Sequence, residues 1–284
     1  MRALTASVQE VFREAAARWV LLAYFALSSF FILVFGAAVN LDVVNGALAG
    51  ARLFGRPIEM GSESVSIDKL VLGFESGFSG FLYLVGTFLA LFATAHLVPR
   101  LQEKGTIDLY LSRPVGRIPL LLSRYAGGLL LAAANLAYLI GAMWLIIVWK
   151  TRVLHPRFLL SGAVILFTIA VLMAFAFLVG VVTSSTGVSL MTTYAVFFFS
   201  AILVAHDKIS AAVSTETAAR IVDGLYWALP KTAELGQATV ALVAGASAPE
   251  RLPNVAHFAV FGSTALFGAA SLALASWLFS RKDF

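Results

Sequence analysis

Cysteine is absent from the 284 residues, which excludes disulfides, thiol catalysis and thiolate-bound metals. Charge is scarce as well. Asp, Glu, Lys and Arg make up 12% of the chain, against roughly a quarter in an average soluble domain. The chemical signatures that need those residues are missing too. No GxxxxGK[ST] stretch occurs, so the chain has no phosphate-binding loop of its own, and neither HExxH nor GxSxG is present. The four histidines, His96, His155, His206 and His257, do not pair at metal-ligand spacing. These absences leave no catalytic and no metal residue to nominate. Basic residues are scattered between apolar runs rather than clustered, which argues against a nucleic-acid partner.

What is present is apolar. Hydrophobic residues are 60% of the chain and the mean hydropathy is +0.92. Six stretches reach the roughly 20 apolar residues that cross a bilayer, namely 19–39, 78–98, 125–149, 158–182, 188–205 and 255–279. None of the six holds an Asp, Glu, Lys or Arg. The expected fold class is an all-α polytopic membrane protein of six transmembrane helices in a single domain over 1–284. The first run is too long for a cleavable signal and is expected to remain as an anchor.

Six spans place both termini on one side. Lys and Arg divide equally between the two sides, ten each, but the side with the termini has much the shorter total length. Its higher basic density predicts that both termini face the cytoplasm. Leu4, Val8, Val11, Phe12, Ala15 and Trp19 recur at helical spacing, predicting an interfacial helix over 4–18. Two small lobes are expected on the outer face. Segment 40–77 is rich in glycine, with a weakly alternating stretch at 58–67 that reads as a short hairpin. Segment 206–254 reads as two short amphipathic helices. The first opens at Ser214-Thr215-Glu216 and stops at Pro230; the second is capped by Thr232 and runs to about Ala244.

The loop 99–124 is different in kind. Pro99 ends the second span, Thr106 caps a short helix over 107–112, and Asp108 favours its first turn. Arg113-Pro114 breaks that helix, because a residue before proline avoids the helical region. Pro119 then fits the first turn of the third span.

Glu103-Lys104-Gly105-Thr106, then Leu111-Ser112-Arg113-Pro114, then Arg117 and an apolar span resemble the loop after the second span of ABC-2 type transporter permeases. Leu229-Pro230-Lys231 with Glu234-Leu235, and the terminal Arg281-Lys282-Asp283-Phe284, extend the resemblance over nearly the whole chain. The branch most similar includes the permease of the nitrous-oxide-reductase maturation transporter. The resemblance implies a short cytoplasmic coupling helix that docks on a separate ABC ATPase. It also implies two permeases, expected as a homodimer, and two ATPase subunits. Glu103, Gly105, Thr106, Arg113, Pro114 and Arg117 are the expected docking residues. The chain itself is expected to be non-catalytic and to bind no cofactor, with ATP and Mg held by the partner.

A substrate path is expected between the two permeases, along the first, second and fifth spans. Ser28, Ser29, Thr192 and Thr193 are its candidate residues, with helix packing as their ordinary use. The apolar wall suits a lipid-like or amphipathic substrate, and a sulfur- or copper-related species is an alternative within the family. The lobes 40–77 and 206–254 are candidate contacts for an outer-face accessory protein. Two other readings stay open: a secondary transporter or channel without an ATPase, and a membrane scaffold for metalloenzyme maturation. Carboxylate-free spans disfavour the transporter reading, because proton relays use intramembrane acids.

Overall fold

The computed structural model describes residues 19–44, 47–53, 56–57, 67–102, 116–212, 215–245 and 258–282. The interfacial helix expected at 4–18 and the short helix expected at 107–112 lie outside them. So do Glu103, Gly105, Thr106, Arg113 and Pro114.

Helix α1 runs Trp19–Ala38 and buries Tyr24, Ser28 and Phe35 along one stripe, while Leu22, Phe30 and Leu33 point outward. A small antiparallel sheet follows. Strand β1 (Val39–Val44) pairs with β2 (Ala47–Leu53), Val39 opposite Leu53 and Val44 opposite Ala47, with a bulge at Asp42/Val43. Strand β3 (Arg56–Pro57) pairs with β2. The 58–67 stretch, where alternation suggests a short hairpin, lies outside the described residues except for Ile67, which opens the next helix. Asn45-Gly46, the sequence pair that favours two-residue hairpin loops, stands between β1 and β2.

Helix α2 spans Ile67–Thr94, eleven residues earlier than the apolar run begins. Its buried stripe is Val71, Glu75, Ser79, Leu82, Thr87, Ala90 and Ala93, which recurs at the helical period and carries an acid within it. The regular helix is interrupted at Ala95-His96, before the short helix α3 (Leu97–Leu101). Pro99 was expected to end the span where it stands. Instead it sits inside α3, and the break falls four residues upstream, where a proline ring meets the carbonyl of residue i−4.

Helix α4 spans Arg117–Thr151, starting eight residues before the expected span and taking Arg117, Pro119 and Arg124 into the helix. Helix α5 (Arg157–Thr183) is the hub: it packs against α2, α4, α6 (Thr186–Leu203), α9 (Thr232–Ala244) and α10 (Phe258–Arg281). Phe158, Ile165, Ile169, Leu172, Met173 and Phe177 are fully buried along it. Gly268 lets α10 close on α5, since a Cβ there would lie 3.2 Å from the Val171 Cα.

Between α6 and α9 lie α7 (His206–Ala212) and α8 (Glu216–Ala228). Helix α8 buries none of its side chains. Helix α9 is the opposite, packing Leu235, Ala238, Thr239 and Val243 among α2, α5 and α6. Of the two short helices expected here, one stays outside and the other enters the bundle. Thr232 does not cap α9: Lys231 holds that position, and the Thr232 hydroxyl donates to the Phe197 carbonyl at 3.1 Å. Gly245 ends α9 at φ +57, a conformation that favours glycine, with the Arg157 guanidinium lying over it.

Among the described residues, five helices are long and apolar enough to cross a membrane: Val71–Leu101, Arg117–Thr151, Arg157–Thr183, Thr186–Leu203 and Phe258–Arg281. A shorter apolar stretch, Leu22–Ala37, lies in α1. This is a polytopic helical membrane protein.

Candidate functional site

A helix leaves its last four carbonyls without intrahelical donors, and those carbonyls attract cations. Two helices, α5 and α10, end at the bundle face from which the 103–115 loop departs, and their open carbonyls are met by side chains. Ser184 follows α5 in the left-handed conformation, φ 51, with its N–H on the Gly180 carbonyl at 2.9 Å. Gln102, the last described residue before the loop, donates Nε2 to the same carbonyl at 2.9 Å. Lys282, just past α10, donates Nζ to the Val181 carbonyl at 2.8 Å, to Ser184 Oγ at 2.9 Å, and to Gln102 Oε1. Ser184 Oγ also donates to Gln102 Oε1, at 2.9 Å. Burial pushes the Lys282 ammonium below the ordinary lysine range.

Arg117, the first residue of α4 and the first helical residue after the loop, completes the cluster. Its Nη1 donates to the Ser280 carbonyl at 3.2 Å and to the Lys282 carbonyl at 2.6 Å. Lys282 thus caps α5, and Arg117 caps α10. The two described flanks of the loop, Gln102 and Arg117, meet in one hydrogen-bonded clamp with the ends of α5 and α10. Pro99 and Val98 of α3 rest on Gly180, where a Cβ would stand 3.4 Å from Pro99 Cδ. Of the six expected docking residues, Arg117 is the described one, and it is engaged within the chain. Gln102, Ser184 and Lys282 were not foreseen as its neighbours; a basic residue just after the last apolar run was the available signal.

The expected path residues separate into two places. Ser28 Oγ donates to Asn135 Oδ1 at 2.7 Å, fully buried between α1 and α4. Ser29 bonds the Phe25 carbonyl and shares a 2.9 Å hydrogen bond with the Tyr138 hydroxyl. Asn135 and Tyr138 thus form a polar rung with the α1 serines, and Asn135 Nδ2 is left buried without a partner. Thr193 lies on α6, donating to the Ser189 carbonyl at 2.7 Å, while Ser189 bonds the Ala176 carbonyl of α5. Thr192 is half-buried beside it. The second and fifth spans do meet, at an aromatic seam: Phe88 of α2 stacks on Tyr194 of α6 at 4.1 Å, with Phe197 and Phe198 beside it.

At the α8–α9 turn, Lys231 is buried. Its Nζ donates to Ser263 Oγ at 3.1 Å and the Tyr226 carbonyl at 3.3 Å, under the rings of Tyr226 and Trp227. Its N–H donates to Thr264 Oγ1 at 3.1 Å. Desolvation lowers the Lys231 ammonium, opposed by Glu234. The same motif residue Glu234 accepts from the Tyr226 hydroxyl at 2.7 Å, and His206 stacks on the Tyr226 ring at 3.7 Å. Leu229-Pro230-Lys231 is therefore the joint that fastens α8 and α9 to α10.

No curated protein matches this chain at a significant level. Residues 12–284 match the family described as ABC-2 family transporter protein, from before α1 through the clamp at the end of α10. The chain belongs to the ABC-2 transporter family, as a membrane permease of an ABC transporter.

Proposed function

We propose that this permease passes work done by a separate, cytoplasmic ABC ATPase to its membrane helices through the 99–124 loop. The observation that carries the reading is the clamp: Gln102 and Arg117, on either side of residues 103–115, are bonded to the ends of α5 and α10. A displacement of the loop pulls on both helices at once, and α5 is the helix against which most of the bundle packs. Glu103, Gly105, Thr106, Arg113 and Pro114 are the proposed contacts to the ATPase, and Arg117 transmits rather than docks. ATP and Mg belong to that partner, and this chain contributes no catalytic residue.

In this reading α1 is a sixth span and both termini face the cytoplasm of a cell membrane. Two copies pair, with two ATPase subunits below them. The substrate runs along α1, α2 and α6, past the Ser28–Asn135 rung and the Phe88–Tyr194 seam. That largely apolar surface with few hydroxyls fits an amphipathic, lipid-like substrate. Within the family we place the chain near the branch resembling the permease of nitrous-oxide-reductase maturation, on the loop motifs quoted above. The lobes around β1–β3 and α7–α8 are proposed as contacts for an accessory protein.

One observation favours a second reading, a proton-coupled carrier. Glu75 is buried within Val71–Leu101, so the carboxylate-free windows do not describe the whole of that helix. The test separates the two. Tagged permease is purified in mild detergent together with any ABC ATPase encoded beside it. Stoichiometric ATPase, and a reduced yield of it with Arg113→Glu at unchanged permease insertion, is the expected result. Permease that transports without any ATPase sinks the proposal.

A further inference from the structure

At the end of the bundle away from the loop, Glu75 has no exposure, although it is an acid on the buried stripe of α2. Its Oε2 stands 3.1 Å from His155 Nδ1, and its Oε1 has no partner. His155 belongs to the α4–α5 turn, and that turn is held firmly. Arg152 takes the left-handed conformation at φ 62, the Val153 N–H bonds Thr151 Oγ1 at 3.3 Å, and Trp144 Nε1 donates to the His155 carbonyl at 3.2 Å. The imidazole is about a quarter exposed, so it links the buried acid to solvent.

We infer that Glu75 and His155 form a proton-binding site that fastens the start of α2 to the α4–α5 turn when it holds one proton and releases it when that proton leaves. The inference does not depend on the ATPase reading. A carboxylate beside a neutral imidazole would carry a net charge of −1 here, with one oxygen unpaired, and burying such a charge is costly. One added proton makes the pair neutral whichever atom carries it, and the Nδ1–Oε2 hydrogen bond persists. Loss of the proton restores the net charge, which is relieved by water reaching Glu75 as the helices part.

Other charges nearby do not substitute for that proton. Lys150 of α4 donates to the Gly36 carbonyl at 2.6 Å. Arg157 of α5 lies over Gly245 at the end of α9. Arg152 in the turn is exposed. On α2 the sequence adds Asp68 and Lys69 about two turns earlier, and Lys69 is exposed. Helix α1 has no charged residue, and the Glu234 carboxylate of α9 is at its far end, bonded to Tyr226.

The chain has no native cysteine, so two introduced ones are unique. Spin labels on Lys69→Cys and Leu154→Cys, both exposed positions, report the α2-to-turn separation in the full chain in lipid nanodiscs. The separation is expected to grow reversibly as pH rises from about 5 to about 9, a range that brackets the ordinary proton exchange of imidazoles. Glu75→Gln, a neutral amide that still donates to Nδ1, is expected to keep the short separation at every pH. Glu75→Met, which removes the ionisable carboxyl altogether, is likewise expected to remove the pH dependence and serves if Glu75→Gln is not recovered folded. An unchanging separation in the labelled wild type overturns the inference. So does a pH dependence that survives in either substituted protein.

Discussion

Arg117 holds the end of α10 at Lys282, and Lys282 in turn holds the end of α5. Arg117 Nη1 donates to the Lys282 carbonyl at 2.6 Å, while the Lys282 ammonium, 2.8 Å from the Val181 carbonyl, caps the neighbouring α5. Hydrogen bonds from charged donors contribute about 1.5–3 kcal/mol when well buried, and about 1 at this partly exposed face. Arg117→Ala and Lys282→Ala are each expected to lower stability by about 1 kcal/mol, and the double variant by clearly less than the sum. Thermal unfolding of the four proteins in detergent measures the coupling; full additivity would show that the two residues act independently.

Ser184 separates strain from bonding at the same clamp. A non-glycine residue in the left-handed region costs about 1 kcal/mol, and here its hydroxyl is bonded to Gln102 and Lys282. Ser184→Ala keeps the strain and loses the bonds, whereas Ser184→Gly loses both. The alanine variant is expected to be the less stable by about 1 kcal/mol, with the glycine variant close to wild type. An alanine variant as stable as wild type would mean that the hydroxyl contributes nothing.

The α5–α10 contact can be tested with a matched pair. A Cβ at Gly268 would stand 3.1 Å from Val171 Cγ2 and 3.2 Å from its Cα, and backbone cannot swing aside. At Gly262, on the same helix, a Cβ meets nothing within 4 Å. Gly268→Ala is expected to cost about 1–3 kcal/mol by overpacking, while Gly262→Ala is neutral or slightly stabilising. Equal effects on the unfolding midpoint would rule out the close approach.

Much of this architecture was legible in the sequence, and the failures have identifiable causes. Length and composition located the long helices, because a bilayer tolerates few charges. They misplaced the ends of α2 and α4, because Glu75, Arg117 and Arg124 continue those helices as polar residues that bury or bond. Pro99 was read as a stop at its own position, although its steric effect falls on the preceding turn. The clamp was half visible: Arg117 stood out as a basic residue beside a proline-rich loop, but its partners are carbonyls, and main-chain acceptors carry no sequence signature. The Ser28–Asn135 rung joins residues 107 apart, so only the serines, as small residues in a greasy span, attracted notice.

Lys231 makes a prediction with a sign. Burial lowers its ammonium below the ordinary lysine value of 10.5, so between the folded and the unfolded pKa the unfolded chain binds more protons than the folded one. Its contribution to stability therefore rises with pH through that window. The Tyr226 hydroxyl is raised above 10.0 by burial and by Glu234, which acts in reverse only above pH 10. Lys231→Met removes the first effect and retains most of the packing. The difference in unfolding midpoint between wild type and Lys231→Met is expected to shift in favour of wild type from pH 7.5 to 9.5. A constant difference would show that Lys231 titrates alike in both states.

The rung between α1 and α4 allows packing and passage to be told apart. Asn135→Leu alone leaves the Ser28 hydroxyl facing an apolar side chain, and an unmet polar group in such a place costs about 1–3 kcal/mol. Ser28→Ala with Asn135→Leu removes both partners and also the unpartnered Asn135 Nδ2, so it is expected to be as stable as wild type or more so. If Ser28 serves only to join helices, that double variant transports normally. If the rung lies on the substrate path, the double variant folds, inserts and associates with its ATPase, yet its substrate-stimulated ATPase activity falls severalfold. Normal stimulation in a stable double variant would remove Ser28 from the path and leave the Phe88–Tyr194 seam as the surface to probe.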